Sequence, residues 1–298
     1  MLELVIAVLW FTGLGLIAIL YGRGWWRLRQ GRYALASGKR LAFFCVGLAL
    51  LLAATLPPLF ALSFQFLFVR ALQKIMIAMW AAPLLWLACP LQIIQRGLPF
   101  AWRHQVTQWL KPERRLNRGL HLLTEPAVAW LGFVSAIVLW HDVGIVQRVM
   151  PWPGAHLLVI VLITGIGLLY WGHLVGTGLR RYRRVPEWVL FAYVIGVEIP
   201  NMATGMSIAY AGAPLYGYYA ATHAHLAASF DVINDQRLSG GLIWFMGSVV
   251  FFSTGVLILN RLFRHNKGDS PQHFPDWDSD ERMIAPGLEH RLKEAPRK

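Results

Sequence analysis

Seven apolar stretches alternate with short polar segments along nearly the whole chain. They lie at Leu2–Gly22, Leu41–Ser63, Val69–Ile93, Thr124–Val143, Ala155–Gly176, Glu187–Tyr210 and Gly241–Phe263. Each is close to the roughly 20 helical residues that cross a hydrocarbon core of roughly 30 Å. Lipid offers no water to backbone polar groups, so segments of this length satisfy them internally as helices. The pattern predicts an all-α integral membrane fold, a bundle of seven transmembrane helices over residues 1–263. The first stretch carries Glu3, lacks a basic start and shows no small-x-small cleavage site. It is therefore expected to be a retained helix and not a signal peptide.

The polar segments fix an expected orientation. Arg23, Arg27, Arg29, Arg32, Lys39 and Arg40 follow the first stretch. Arg96, Arg103, Lys111, Arg114, Arg115 and Arg118 follow the third, and Arg180, Arg181, Arg183 and Arg184 follow the fifth. The alternate segments offer only Arg148 and Arg237, with Arg70 and Lys74 opening the third stretch. Basic loops mark the cytoplasmic side, which places the N-terminus outside and the C-terminus in the cytoplasm. The net charge of +13, among residues of which 56% are hydrophobic and 14% charged, is thus topological. It suits anionic lipid headgroups, and nucleic acid is not expected as a partner. From Arg264 to Lys298 the composition changes to mixed charge, proline and few large apolar residues. That tail cannot bury enough surface to offset its chain entropy and is expected to be disordered, with a short amphipathic piece near 281–292.

The expected topology sorts the histidines by side. His104, His121, His173, His265, His273 and His290 fall inside; His141, His156, His223 and His225 fall outside. His141 ends the fourth stretch beside Asp142, and His156 opens the fifth after a loop short enough to let the two imidazoles approach. His223 and His225 precede Asp231 and Asp235 in the last outer loop. Imidazoles near carboxylates on the outer face suit copper, and Met202 and Met206 could add soft ligands. Each has a plain structural reading as well: interfacial Trp-His pairs, packed methionines and solvated loop histidines. Cys45 and Cys89 are too few for a disulfide framework and read as small buried residues.

Charges inside a span are expensive and are usually paired or functional. Arg70 and Lys74 stand one turn apart, and Glu198 lies within the sixth stretch beside Pro200. They are expected to form a structural polar cluster, Glu198 pairing with Lys74 or Arg70. The other reading makes the two cations a docking site for a carboxylate. Pro200, near Gly196 and Gly205, is expected to kink its helix, with Asn201 or Thr204 bonding freed carbonyls.

The runs 199–205 (Ile-Pro-Asn-Met-Ala-Thr-Gly), 213–216 (Ala-Pro-Leu-Tyr) and 235–244 (Asp-Gln-Arg-Leu-Ser-Gly-Gly-Leu-Ile-Trp) resemble the CtaG-like cytochrome c oxidase assembly factor family. So do Gln73-Lys74 through Ala82-Pro83-Leu84-Leu85, Trp140-His141, and His156 through Trp171, in order over about residues 65–260. The resemblance implies a bacterial inner-membrane protein that helps assemble or stabilise a haem-copper terminal oxidase, with oxidase subunits as partners. It also implies a candidate copper site made by histidines of the third, fourth and fifth helices. In this chain the third-helix positions read Arg70 and Lys74, and the second fifth-helix position reads Ile160, leaving His141 and His156. A protonated Arg or Lys has no lone pair for a metal.

Two readings follow from that departure. In one the protein handles copper through His141 and His156, with His223 and His225 as further candidates and Asp235, Gln236 and Asp142 orienting them. In the other it binds no metal or other cofactor and is an accessory subunit or scaffold of a respiratory membrane complex. A haem protein ligated by His141 and His156, or a small-solute transporter, would be a third class. No nucleophile–base pair appears, so no enzymatic activity is expected.

Overall fold

The computed structural model describes residues 2–100, 102, 103, 105, 119, 122–176, 185–225 and 231–268. His104, His121, the arginines of 106–118 and 177–184, and the tail from 269 onward, including its expected disorder and amphipathic piece, lie outside the described residues. The chain divides into a unit over Met1–Leu259 and a second from Asn260. The side-chain contacts discussed below all belong to the first, and the last helix runs on into the second.

The described residues are helical, without strands. In order they form α1 (Leu2–Gln30), α2 (Gly38–Thr55), α3 (Leu59–Leu62), α4 (Leu67–Lys74), a π-helical segment (Ile75–Ala81), α5 (Ala82–Leu87) and α6 (Pro90–Gly97). Then come α7 (Pro126–His141), α8 (Val143–Val149), α9 (Pro153–Val175), α10 (Glu187–Ala209), α11 (Gly217–His225) and α12 (Val232–Gly268). Six helices are long and apolar enough to cross a membrane, counting α4 through α5 as one; α7 with α8 brings the number to seven.

Several expected boundaries move, each for a local reason. The second stretch breaks at Pro57-Pro58, where a proline lacks the amide that would continue the ladder. The third ends at Leu87, because Cys89 adopts a left-handed backbone (φ 52°) and Pro90 opens a new helix. The fourth is not a straight crossing: its 16 helical residues turn by 73° into α8. There Asp142 is extended and its carboxylate accepts the Ile145 N–H at 2.8 Å, starting the next helix. The seventh begins earlier than expected, at Val232, which carries Asp235 and Gln236 into its first turns. His223 and His225 likewise stand on α11 instead of in a loop.

Packing follows the side-chain periodicity. On α1, Leu14, Tyr21 and Leu28 recur every seventh residue and are buried, while Leu4, Leu9, Leu16 and Ile19 face outward. Tyr21 stacks on Phe44, ring centroids 3.7 Å apart, and donates to the Ala88 carbonyl at 3.0 Å. The α4–π–α5 span is the most enclosed of the six, at 72% buried. Between helices, indoles close polar contacts that lipid could not: Trp171 donates to Ala78 O at 2.7 Å and Trp86 to Leu168 O at 2.6 Å. Pro200 sits inside α10, where the Thr204 hydroxyl donates to its carbonyl at 2.7 Å; Asn201 instead reaches across to Ile243 O on α12 at 3.2 Å.

The α10–α12 crossing is set by glycine. A methyl on Gly205 would stand 2.7 Å from the Trp244 nitrogen and 2.8 Å from the Gly240 oxygen, both backbone atoms with no freedom to swing aside. Gly205→Ala is therefore expected to lower stability by about 1–3 kcal/mol in detergent unfolding. Gly241→Ala, which meets open space, should be neutral or slightly stabilising in the same assay.

Candidate functional site

On α4, Arg70, Gln73 and Lys74 occupy positions i, i+3 and i+4, so their side chains share one face. That face is turned into the bundle, and all three are buried, Arg70 to 1% exposure and Lys74 to 2%. Opposite them stand Trp140 and His141, the last residues of α7, and His156 in the first turn of α9. Ser63 closes one side from the segment after α3.

The hydrogen bonds assign the proton on each imidazole. Gln73 uses its amide N–H on Ala54 O at 2.7 Å, so only its oxygen is left for His156 Nε2, 3.2 Å away. The Ser63 hydroxyl is committed to Phe60 O at 2.7 Å, so its oxygen faces the same Nε2 at 3.3 Å as an acceptor. His156 Nε2 therefore carries the proton, and Nδ1 holds a lone pair with no partner. His141 is the reverse. With Lys74 as the donor to its Nε2, 3.1 Å away, the proton stands on an unpartnered Nδ1. Arg70 donates from Nη2 to Trp140 O at 2.6 Å and lies 4.4 Å over the Trp140 ring, a cation–π contact.

Glu198 does not complete this cluster as an ion-pair partner. It accepts hydrogen bonds from Ser248 on α12 and from Asn201 at 3.4 Å. Among the described residues no ion pair joins it to Arg70 or Lys74. The expected partners therefore do not meet within 4 Å: α12 offers Glu198 a hydroxyl, and Lys74 lies against the imidazole.

The remaining candidates form a second arrangement that covers the first. Asp235, fully buried on α12, accepts the Leu67 N–H at 2.8 Å and the Phe68 N–H at 2.9 Å, capping α4. It also accepts from His223 Nε2 at 2.9 Å. A carboxylate at a helix N-terminus is favoured by the helix dipole as well as by the bonds. Gln236 accepts from Leu215 N at 2.7 Å and donates to Ala213 O at 3.2 Å, fixing the turn before α11. Tyr216 then donates to His141 O at 2.8 Å and Tyr219 to Ser63 O at 2.7 Å, so α11 is clasped over the histidines.

The structure thus brings Arg70, Lys74, His141 and, through Gln73, His156 together. It places His223 with Asp235 instead, uses Asp142 as the cap of α8, and keeps Asp235 and Gln236 off both inner imidazoles. The side chain of His225 lies outside the described residues. Among the described residues no three His, Cys, Asp or Glu side chains are arranged to hold a metal ion. A copper ion at His141 would meet a nitrogen already taken by an ammonium, beside a guanidinium, and like charges in a low-dielectric site repel strongly. The surroundings of His141 Nε2 do not fit a copper ion.

Gln73 is the residue that sequence reasoning passed over as a site member. Its position between two buried cations in an otherwise apolar helix was the available signal. Ser63 and Tyr219 carried none, since their partnership joins positions far apart in the chain.

Fold and site together define a polytopic α-helical membrane protein with a buried cation–imidazole cluster under a short covering helix. A model of the family described as cytochrome c oxidase caa3 assembly factor (Caa3_CtaG) matches residues 19–265, and the chain belongs to that family. Comparison with curated proteins and with solved structures returns no match.

Two expectations follow from the covering arrangement. Asp235→Ala removes both α4 caps and should lower stability by about 0.5–2 kcal/mol, with proteolysis near α11 increasing, while His223→Gln should cost less. Burial pushes the Tyr216 phenol up to about 12, with nearby Arg70 opposing and Asp142 adding to the shift. Between pH 10 and about 12 the folded protein keeps a proton that the unfolded chain has lost, so stability falls as pH rises through that window. Unfolding midpoints measured across it should fall less steeply in Tyr216→Phe.

Proposed function

We propose that this protein assists assembly or stabilisation of a haem-copper terminal oxidase in a bacterial cytoplasmic membrane, as a scaffold or accessory subunit without a copper site of its own. Membership of the oxidase assembly factor family supports the oxidase role. The observation that carries the finer reading is Lys74 Nζ, 3.1 Å from His141 Nε2: a cation of the protein itself engages the lone pair a metal would need. The arginine-rich segments face the cytoplasm, the N-terminus lies outside, and the cluster with α11 lies toward the outer face. Contact with oxidase subunits runs through the outward apolar faces of the helices and through α11. No reaction is catalysed, and no cofactor is held.

The test is complementation. In cells lacking this protein, oxidase abundance, read from the haem difference spectrum of membranes, should drop and be restored by the wild-type chain. Restoration by His141→Gln and His156→Gln, at limiting and at ample copper alike, is expected. If those variants restore oxidase only when copper is added, the protein delivers copper and the scaffold reading is wrong. Unchanged oxidase in the deletion strain would remove the oxidase role itself.

A further inference from the structure

Two adjacent basic side chains are enclosed in this bundle with no carboxylate among the described residues within hydrogen-bond distance. Arg70 and Lys74 are both more than nine-tenths buried. Arg70 Nε and Nη1 have no hydrogen-bond acceptor, and neither have Trp140 Nε1 and His141 Nδ1 beside them. Each nearby carboxylate is engaged elsewhere: Glu198 with Ser248 and Asn201, Asp235 with the α4 amides and His223, Asp142 with the start of α8. The Trp140 ring compensates one face of the guanidinium only. Buried charge of one sign with unused N–H groups is costly unless an anion joins it or the group gives up its proton, which a guanidinium does not do.

We propose that Arg70 and Lys74 form a binding site for a small monovalent anion of halide size. The donors here are guanidinium, ammonium, indole and imidazole N–H groups, all suited to a single weakly hydrated acceptor. Lys74 also borders a small void whose other walls, Ala78, Met79, Phe133, Ala136, Ile137 and Ile163, are apolar and offer nothing to the additional oxygens of a phosphate or sulfate. The ion would be screened from outside by α11, which Tyr219 and the preceding Tyr216 hold to Ser63 O and His141 O through their hydroxyls. The site uses the residues that exclude copper, and it does not depend on the oxidase role.

The test is equilibrium dialysis of the full-length protein, purified in detergent in gluconate, against radioactive chloride. Saturable uptake near one chloride per chain is expected, displaced by bromide but not by sulfate, and weakened at least about tenfold in Lys74→Met and Arg70→Met. The wild-type unfolding midpoint should also rise with chloride at constant ionic strength, which serves if a variant does not fold. Absence of saturable uptake, or uptake unchanged in both variants, overturns the proposal. Displacement by acetate but not by bromide overturns the halide assignment.

Discussion

The interaction on which the rest of the structure depends is the turn of α4 that holds Arg70, Gln73 and Lys74 inside the bundle. Two basic side chains in a low-dielectric interior demand directed partners, and the neighbouring helices hold this turn through them. Helix α7 gives the Trp140 carbonyl and ring and the His141 nitrogen; α2 anchors Gln73 through Ala54 O, and Gln73 in turn fixes the protonation of His156 on α9. Directly after Lys74 the helix widens into a π segment, a form often found at functional sites, and Trp171 bonds the Ala78 carbonyl there.

A covering layer keeps that turn in place. Asp235 joins the first turn of α12 to the start of α4 and to His223, while Gln236 sets the approach to α11. These two side chains act on helix ends and a turn, so the cluster they shelter is positioned by backbone geometry. The same logic explains why Glu198 stays apart. With Asn201 and Ser248 it belongs to the α10–α12 contact, where glycine brings the two backbones together.

How much of this the sequence disclosed varies by element. The apolar stretches were legible because a spanning helix must be apolar over its whole length, and α9 and α10 lie within two residues of their expected ends. Breaks were less legible. Asp142 looks like an ordinary helix end until its carboxylate is seen capping α8, and α12 begins early because Asp235 and Gln236, polar in composition, point into the protein. Within the site, Arg70 and Lys74 announced themselves as charges in a span, and the short loop let His156 reach the end of α7, where its ring lies 5.7 Å from that of Trp140. Their actual partners could not be read, because whether Lys74 meets Glu198 or His141 is decided by how the helices rotate. No local pattern encodes that rotation.

The central claim is that a protein cation, and not a metal, satisfies His141. Copper content per chain after anaerobic loading with cuprous ion, compared with a His141→Ala, His156→Ala double variant, tests it most directly. The account predicts no stoichiometric copper in either protein. About one copper per chain in the wild type, lost in the double variant, would contradict it and show that Lys74 yields His141 to a metal.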